Sequence, residues 1–128
     1  MKIGEAARAS GISAKMIRYY ESISLLPPAD RSLAGYRHYS AADLRILLFI
    51  RHARDLGFSL DQIGELLALW QDKARSSADV KRLAESHIAT LEDKAAQLLA
   101  MSGALRQLAD QCCGDARPDC PILEGLGG

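Results

Sequence analysis

The chain has few aromatic side chains, 5% of its 128 residues, and no cysteine outside one nine-residue stretch near its C-terminal end. With so few aromatics and with Ala and Leu dominant, the composition favours helix over sheet. No run approaches the roughly 20 consecutive apolar residues of a membrane span. The opening MKIGEAARASG has no apolar core of signal-peptide length, so a secreted product of that route is not expected. The expected location is the cytoplasm, with no membrane association, where thiols stay reduced and a disulfide framework is disfavoured. No nucleophile–base pairing of catalytic type is visible, so the chain does not read as an enzyme.

Net charge is also absent, but only as a sum. Residues 1–58 hold nine Lys/Arg against five Asp/Glu, and residues 59–128 hold seven against eleven. A basic half joined to an acidic half fits a nucleic-acid-binding module fused to something else.

A short helical face over IGEAARA is followed by SGIS, where Ser10 and Gly11 interrupt the helix and Ser13 suits the N-cap of a second. That second helix, AKMIRYYESI, places Met16, Ile17 and Tyr20 on its inner side and Lys15, Arg18 and Tyr19 on the other. Two short helices joined at a glycine, with cations opening the second, form the helix-turn-helix pattern. Pro27 and Pro28 end this unit, and DRSLAGYRHYS reads as a small hairpin, a wing, in which one of Tyr36 and Tyr39 pins the loop to the core. Ser40 caps a third helix with Leu44, Leu47, Leu48 and Ile50 as its expected core face and Gly57 as its stop. A fourth helix starts at Ser59, and KARSS connects it to the C-terminal half.

From Ser77 the pattern changes. Positions 77, 80, 84, 87, 91, 94, 98, 101, 105, 108 and 112 hold Ser, Val, Ala, His, Leu, Lys, Leu, Met, Leu, Leu and Cys. Steps of three and four alternate without a break, as in a coiled-coil seam. A helix of roughly 35 residues spans about 50 Å and cannot bury such a stripe within a small domain. The expectation is a second copy of the chain, parallel or antiparallel. The polar seam residues His87 and Lys94 are expected to set register.

The segments IRYYE (17–21), R-S-x-x-G-Y-R-x-Y (31–39), R-x-A-R-x-L-G-F (51–58), S-A-D-V-K (77–81) and C-x7-C-P-I (112–122) resemble the MerR family of bacterial transcription regulators. Within it they are most similar to the branch of CueR-like copper(I) and monovalent coinage-metal sensors. The resemblance implies a mainly α fold: a winged helix-turn-helix domain (1–72), a long antiparallel coiled-coil dimerisation helix (73–111), and a metal-binding loop with a short helix (112–128). It implies a homodimer on a palindromic promoter that distorts the DNA on metal binding so that RNA polymerase can start. By motif position, Lys15, Arg18 and Tyr19 would meet the major groove. Tyr20, Arg31, Tyr36, Arg37 and Arg54 would meet the phosphate backbone.

The resemblance assigns the metal to Cys112 and Cys120, with Ser77 nearby where relatives that detect divalent ions carry a further cysteine. Thiolates are soft ligands, and two of them can hold a d10 monovalent ion linearly, which selects Cu(I), with Ag(I) and Au(I) as alternatives. Structural zinc usually takes four ligands, more than the loop offers. Cys113 departs from the family pattern. It is either a bystander or a third ligand that would admit a divalent soft ion such as Hg(II). A thiol-redox switch between Cys112 and Cys120 is the remaining alternative.

Overall fold

The computed structural model describes residues 1–28, 35 and 37–128, and the backbone alone at Asp30 and Arg31. Tyr36 lies outside the described residues, as does the side chain of Arg31. Among the described residues the fold is mainly α. The helices are α1 (Ile3–Ser10), α2 (Ala14–Ser22), α3 (Ala41–Asp55), α4 (Leu60–Gln71), α5 (Ser77–Asp110) and α6 (Pro121–Gly127). A two-stranded antiparallel hairpin, β1 (Asp30–Arg31) with β2 (Arg37–His38), stands between α2 and α3, pairing Asp30 with His38 and Arg31 with Arg37. The chain divides into two compact units, Met1–Val80 and Lys81–Gly128.

In the first unit α1 packs on α2 and α3, and α3 on α4. Helix starts follow local chemistry. The Ser13 hydroxyl accepts from the Met16 N–H at 3.2 Å. Ser40 with Asp43, and Ser59 with Gln62, form reciprocal capping boxes. At the end of α3, Gly57 takes φ +85°. Its N–H donates to the Arg54 carbonyl, while the Phe58 N–H reaches the Ala53 carbonyl. Together these satisfy carbonyls that would otherwise be orphaned.

The core of this unit gathers Ala6, Ile12, Ile17, Tyr20, Leu26, Tyr39, Ile46, Leu47, Ile50, Ala53, Ile63 and Leu67. Two local expectations change. Ser10 does not interrupt α1. It is the last helical residue, fully buried, and its hydroxyl accepts from the Ile12 N–H at 3.2 Å. The buried face of α3 is Ile46, Leu47, Ile50 and Ala53, whereas Leu44 and Leu48 are only half-buried. Helix α3 is contacted by α1 and by α4, so its buried arc is set by two neighbours rather than by one apolar stripe. Phe49 of α3 also stacks on Trp70 of α4 at 4.7 Å between ring centroids.

Helix α5 runs 34 residues, about 51 Å. In the second unit His87 is buried, while Leu91, Leu98, Met101 and Leu105 on the same seam are 41–62% exposed. Helix α6 lies against α5 where Gly125 meets Leu108: a Cβ on Gly125 would come within 2.5 Å of Leu108 Cδ2. The glycine is what permits that approach.

Candidate nucleic-acid interface and metal loop

The second helix of the helix-turn-helix, α2, presents Lys15, Arg18 and Tyr19 as exposed side chains, with Tyr19 45% exposed. Their exposure on one short helix follows from burial of Ile17 and Tyr20 on its other side. Tyr20, expected both on the inner side of α2 and near the DNA backbone, is 2% exposed and belongs to the core cluster of the unit. Arg54 is exposed near the end of α3. Arg31 falls in β1 by its backbone; the expectations for its side chain and for Tyr36 lie outside the described residues.

Arg37 is tied to the recognition helix. Its Nη1 is buried and lies 3.6 Å from Glu21 Oε2. The same carboxylate accepts a hydrogen bond from the Tyr39 hydroxyl. Tyr39 is 1% exposed, so it pins the hairpin to the core, as the sequence suggested for one of the pair. Burial first, and then the Glu21 carboxylate, hold its phenol above the usual pKa of 10.0. The Tyr39 backbone is itself clamped: its N–H donates to the Met1 carbonyl at 2.7 Å, and the Met1 amine donates to the Tyr39 carbonyl at 2.7 Å. Glu21 thus joins α2 and β2 through a single carboxylate, a role that helical periodicity does not reveal.

The three cysteines are free thiols. Cys112 and Cys120 are half-buried, whereas Cys113 is exposed. Cys112 follows the last turn of α5, its N–H bonded to the Ala109 carbonyl at 3.1 Å. Cys120 is the N-cap residue of α6, with Pro121 opening the helix and the Cys120 carbonyl accepting from the Glu124 N–H.

Between them Gly114 takes φ +68°. Asp115 accepts from the Arg117 N–H at 3.0 Å and from Arg117 Nε at 2.8 Å, with Nη2 at 2.7 Å. Hydrogen bonding from the Arg117 side chain holds the Asp115 carboxyl below its usual range. This clamp was not expected from the sequence; an Asp-x-Arg spacing in a loop carries no periodic signal.

Among the described residues no group of three or more His, Cys, Asp or Glu side chains stands together as a metal site. The loop carries two half-buried sulfurs, Cys112 and Cys120, and one exposed sulfur, Cys113. Two soft donors suit a soft ion of low coordination number. Ser77 is exposed at the first position of α5 and falls in the first compact unit.

An exposed basic recognition helix, a hairpin tied to it and a long helix ending in a cysteine loop define a helix-turn-helix regulator of transcription, a non-enzymatic class. The chain belongs to the MerR family: "MerR HTH family regulatory protein" matches residues 1–70, and "MerR, DNA binding" matches residues 44–108. It is 57% identical to the HTH-type transcriptional regulator HmrR of Sinorhizobium medicae, over 98% of this chain and 86% of that one. It is 42% identical to the HTH-type transcriptional regulator CueR of Escherichia coli, over 100% of this chain and 95% of that one. These relatives agree with a place in the CueR-like branch. A solved transcription regulator from Ralstonia metallidurans in complex with lead(II) shares the fold at a TM-score of 0.85 and 34% identity, with 98% of each chain covered. No helix among the described residues is long and apolar enough to cross a membrane.

Proposed function

We propose that this protein is a cytoplasmic, metal-responsive transcription regulator whose inducer is Cu(I), with Ag(I) and Au(I) as alternatives, held by Cys112 and Cys120. The observation that supports the reading is that Cys112 and Cys120, at the two ends of one loop held by the Asp115–Arg117 contact, are half-buried while Cys113 is exposed. Two thiolates and a monovalent ion sum to one negative charge. Ser77, where a further thiolate would add another, keeps it there. When bound, the ion supplies a link between the two ends of the loop.

The residues of the chain do the rest. Residues 1–72 serve as the DNA-binding domain, with Lys15, Arg18 and Tyr19 directed to base edges and Arg31, Tyr36, Arg37 and Arg54 to phosphates. Residues 73–111 form the antiparallel dimerisation helix, whose exposed seam of Leu91, Leu98, Met101 and Leu105 calls for an apolar cover. Residues 112–128 form the sensor, where closing the loop fixes α6 against α5 through Gly125 and Leu108. The homodimer then distorts promoter DNA, and RNA polymerase starts from the realigned promoter.

The experiment is a titration of the reduced protein with Cu(I), Ag(I), Au(I), Hg(II) and Zn(II) against a competing chelator, with promoter transcription followed in parallel. Tight one-to-one binding of the monovalent ions with matching induction is expected. Induction by Hg(II) alone would move the assignment to a three-cysteine site that includes Cys113. Induction by oxidant without metal would replace it with a redox switch.

A further inference from the structure

The seam of α5 carries one permanently charged residue, Lys94, at its middle. Lys94 is exposed, and its own helix offers it no carboxylate. The positions three and four residues away hold Thr90, Leu91, Gln97 and Leu98. The adjacent Asp93 is engaged with Gln97, whose Nε2 donates to its carboxylate at 3.1 Å. Helices that pair along such a seam usually set their direction by charges at the positions bordering it. Here those positions are 81, 88, 95, 102 and 109 on one side and 83, 90, 97, 104 and 111 on the other. They hold a single charged residue, Lys81.

We infer that Lys94 fixes the direction in which two α5 helices pair, by excluding the parallel arrangement. The inference rests on the dimer reading and adds to it the residue that decides orientation. The occupant of the stripe is a second copy laid in reverse, because the seam is uneven in size. Its first part holds Ser77, Val80 and Ala84, and its last part Met101, Leu105 and Leu108. Reversal sets the large side chains of one copy against the small ones of the other, which fills space evenly.

Uneven packing can be tolerated at a modest cost, whereas a buried like-charge pair cannot. In a parallel pair every seam residue faces its own copy. Two Lys94 ammonium groups would then meet in the middle of an apolar stripe, with no carboxylate on the bordering positions of either helix. In a reversed pair the alternating steps of three and four interlock differently. In the two registers of fullest overlap Lys94 lies opposite Leu91 or Leu98 of the second copy. The two ammonium groups are staggered along the axis, and each stem lies over leucine with its head in water.

The test reads helix direction by resonance energy transfer between dyes on Cys113, which is exposed and lies just beyond α5. Full chains carrying Cys112→Ser and Cys120→Ser leave it as the single thiol. Antiparallel helices hold the two dyes roughly 50–60 Å apart along the axis, and parallel helices bring them to the same end. Chains with Lys94 are expected to sediment as dimers with low transfer. Lys94→Leu is expected to keep the dimer and raise transfer several-fold, as parallel pairs become allowed. Lys94→Glu retains a like-charge pair and is expected to stay low. Donor-labelled chains with Lys94, mixed with acceptor-labelled Lys94→Glu chains, are expected to show raised transfer, because a parallel pair then sets opposite charges face to face.

Lys94→Leu dimers with unchanged low transfer would overturn the inference and leave the dimer reading standing. If Lys94→Leu does not dimerise, the mixed pair decides in its place, and low transfer there has the same consequence. High transfer in chains with Lys94 would also overturn it, by showing parallel helices. Chains with Lys94 that sediment only as monomers would remove the dimer reading and the inference together.

Discussion

Arg51 reaches from α3 to α1 and donates from Nη1 to the Ser10 carbonyl at 3.0 Å, and its guanidinium fills the space into which a side chain on Gly11 would project. The turn of the helix-turn-helix is thereby closed by a residue forty positions downstream. Gly11 itself takes φ +72°, a left-handed conformation, and its N–H donates to the Ala7 carbonyl at 2.8 Å.

Gly11→Ala meets both constraints at once. The added methyl is strained at positive φ and displaces Arg51 from its acceptor, so an expected loss of about 1–2 kcal/mol comes from the backbone alone. Urea denaturation measures it. An unchanged midpoint would mean that the Arg51 contact is dispensable and the turn relaxes freely. Arg51→Ala separates the two effects, because it removes the cap and leaves the glycine.

The Glu21 carboxylate serves Tyr39 and Arg37 together, so Glu21→Ala strands two partners. Its expected cost is ~1–3 kcal/mol, with DNA affinity falling as Arg37 loses its brace. Tyr39→Phe removes one donor and is expected to cost about 1 kcal/mol. The raised pKa of Tyr39 gives this contact a pH signature. The folded state binds the phenol proton more tightly than the unfolded state, so the stabilisation is complete below pH 10.0 and is lost as the pH rises through the folded pKa. Stability measured from pH 8 to 12 should fall at the alkaline end, and Tyr39→Phe should flatten that fall. A wild-type profile no steeper than the variant's would refute the coupling.

Much of this architecture is written locally. Ser13, Ser40 and Ser59 announce helix starts because a cap needs only residues within one turn. Helix α5 is legible because steps of three and four repeat across its length. What escaped the sequence depends on residues that meet only in three dimensions. The buried arc of α3 shifted to Ile46 and Ala53 because two helices press on it. Ser10 and Arg51 lie 41 positions apart in sequence, and no periodicity links them. In the C-terminal loop the spacing of Cys112 and Cys120 was legible, but the Asp115–Arg117 clamp between them was not.

That clamp makes a separable prediction. Asp115→Asn removes the charge that orients Arg117 and should loosen the loop without unfolding either compact unit. The expected result is faster protease cleavage between Cys112 and Cys120 and a modest, few-fold loss of metal affinity. The depressed Asp115 pKa sets the direction with pH: the pairing is complete above the ordinary value of 3.8 and is lost as the pH falls through the folded value. Wild-type cleavage rates in Asp115→Asn would show that the loop is held by other contacts.

For the cysteines the expected outcomes differ by position. Cys112→Ser or Cys120→Ser should abolish metal-dependent transcription while leaving DNA binding intact, since each removes half of a two-donor set. Cys113→Ser should change the copper response little, in keeping with its exposure. Normal copper induction in either of the first two variants would sink the site, and a large loss in the third would promote Cys113 to a ligand.

The seam of α5 is the last feature that demands an explanation. Leu98 is 62% exposed, Met101 59% and Leu105 53%. Three large apolar side chains on one face, with water as their only cover, would be costly. If a second α5 covers them, replacing Leu98 and Leu105 together with lysine sets four like charges into the dimer and leaves the DNA-binding core untouched. Sedimentation velocity should then give a monomer at concentrations where the wild type is a dimer. Far-UV dichroism should show the first unit still helical, and promoter affinity should collapse because two half-sites can no longer be held together. A Leu98→Lys, Leu105→Lys protein that still sediments as a dimer would place the interface on another face of the helix, and Ile88 and Leu99, exposed at 50% and 74%, would be the next residues to change.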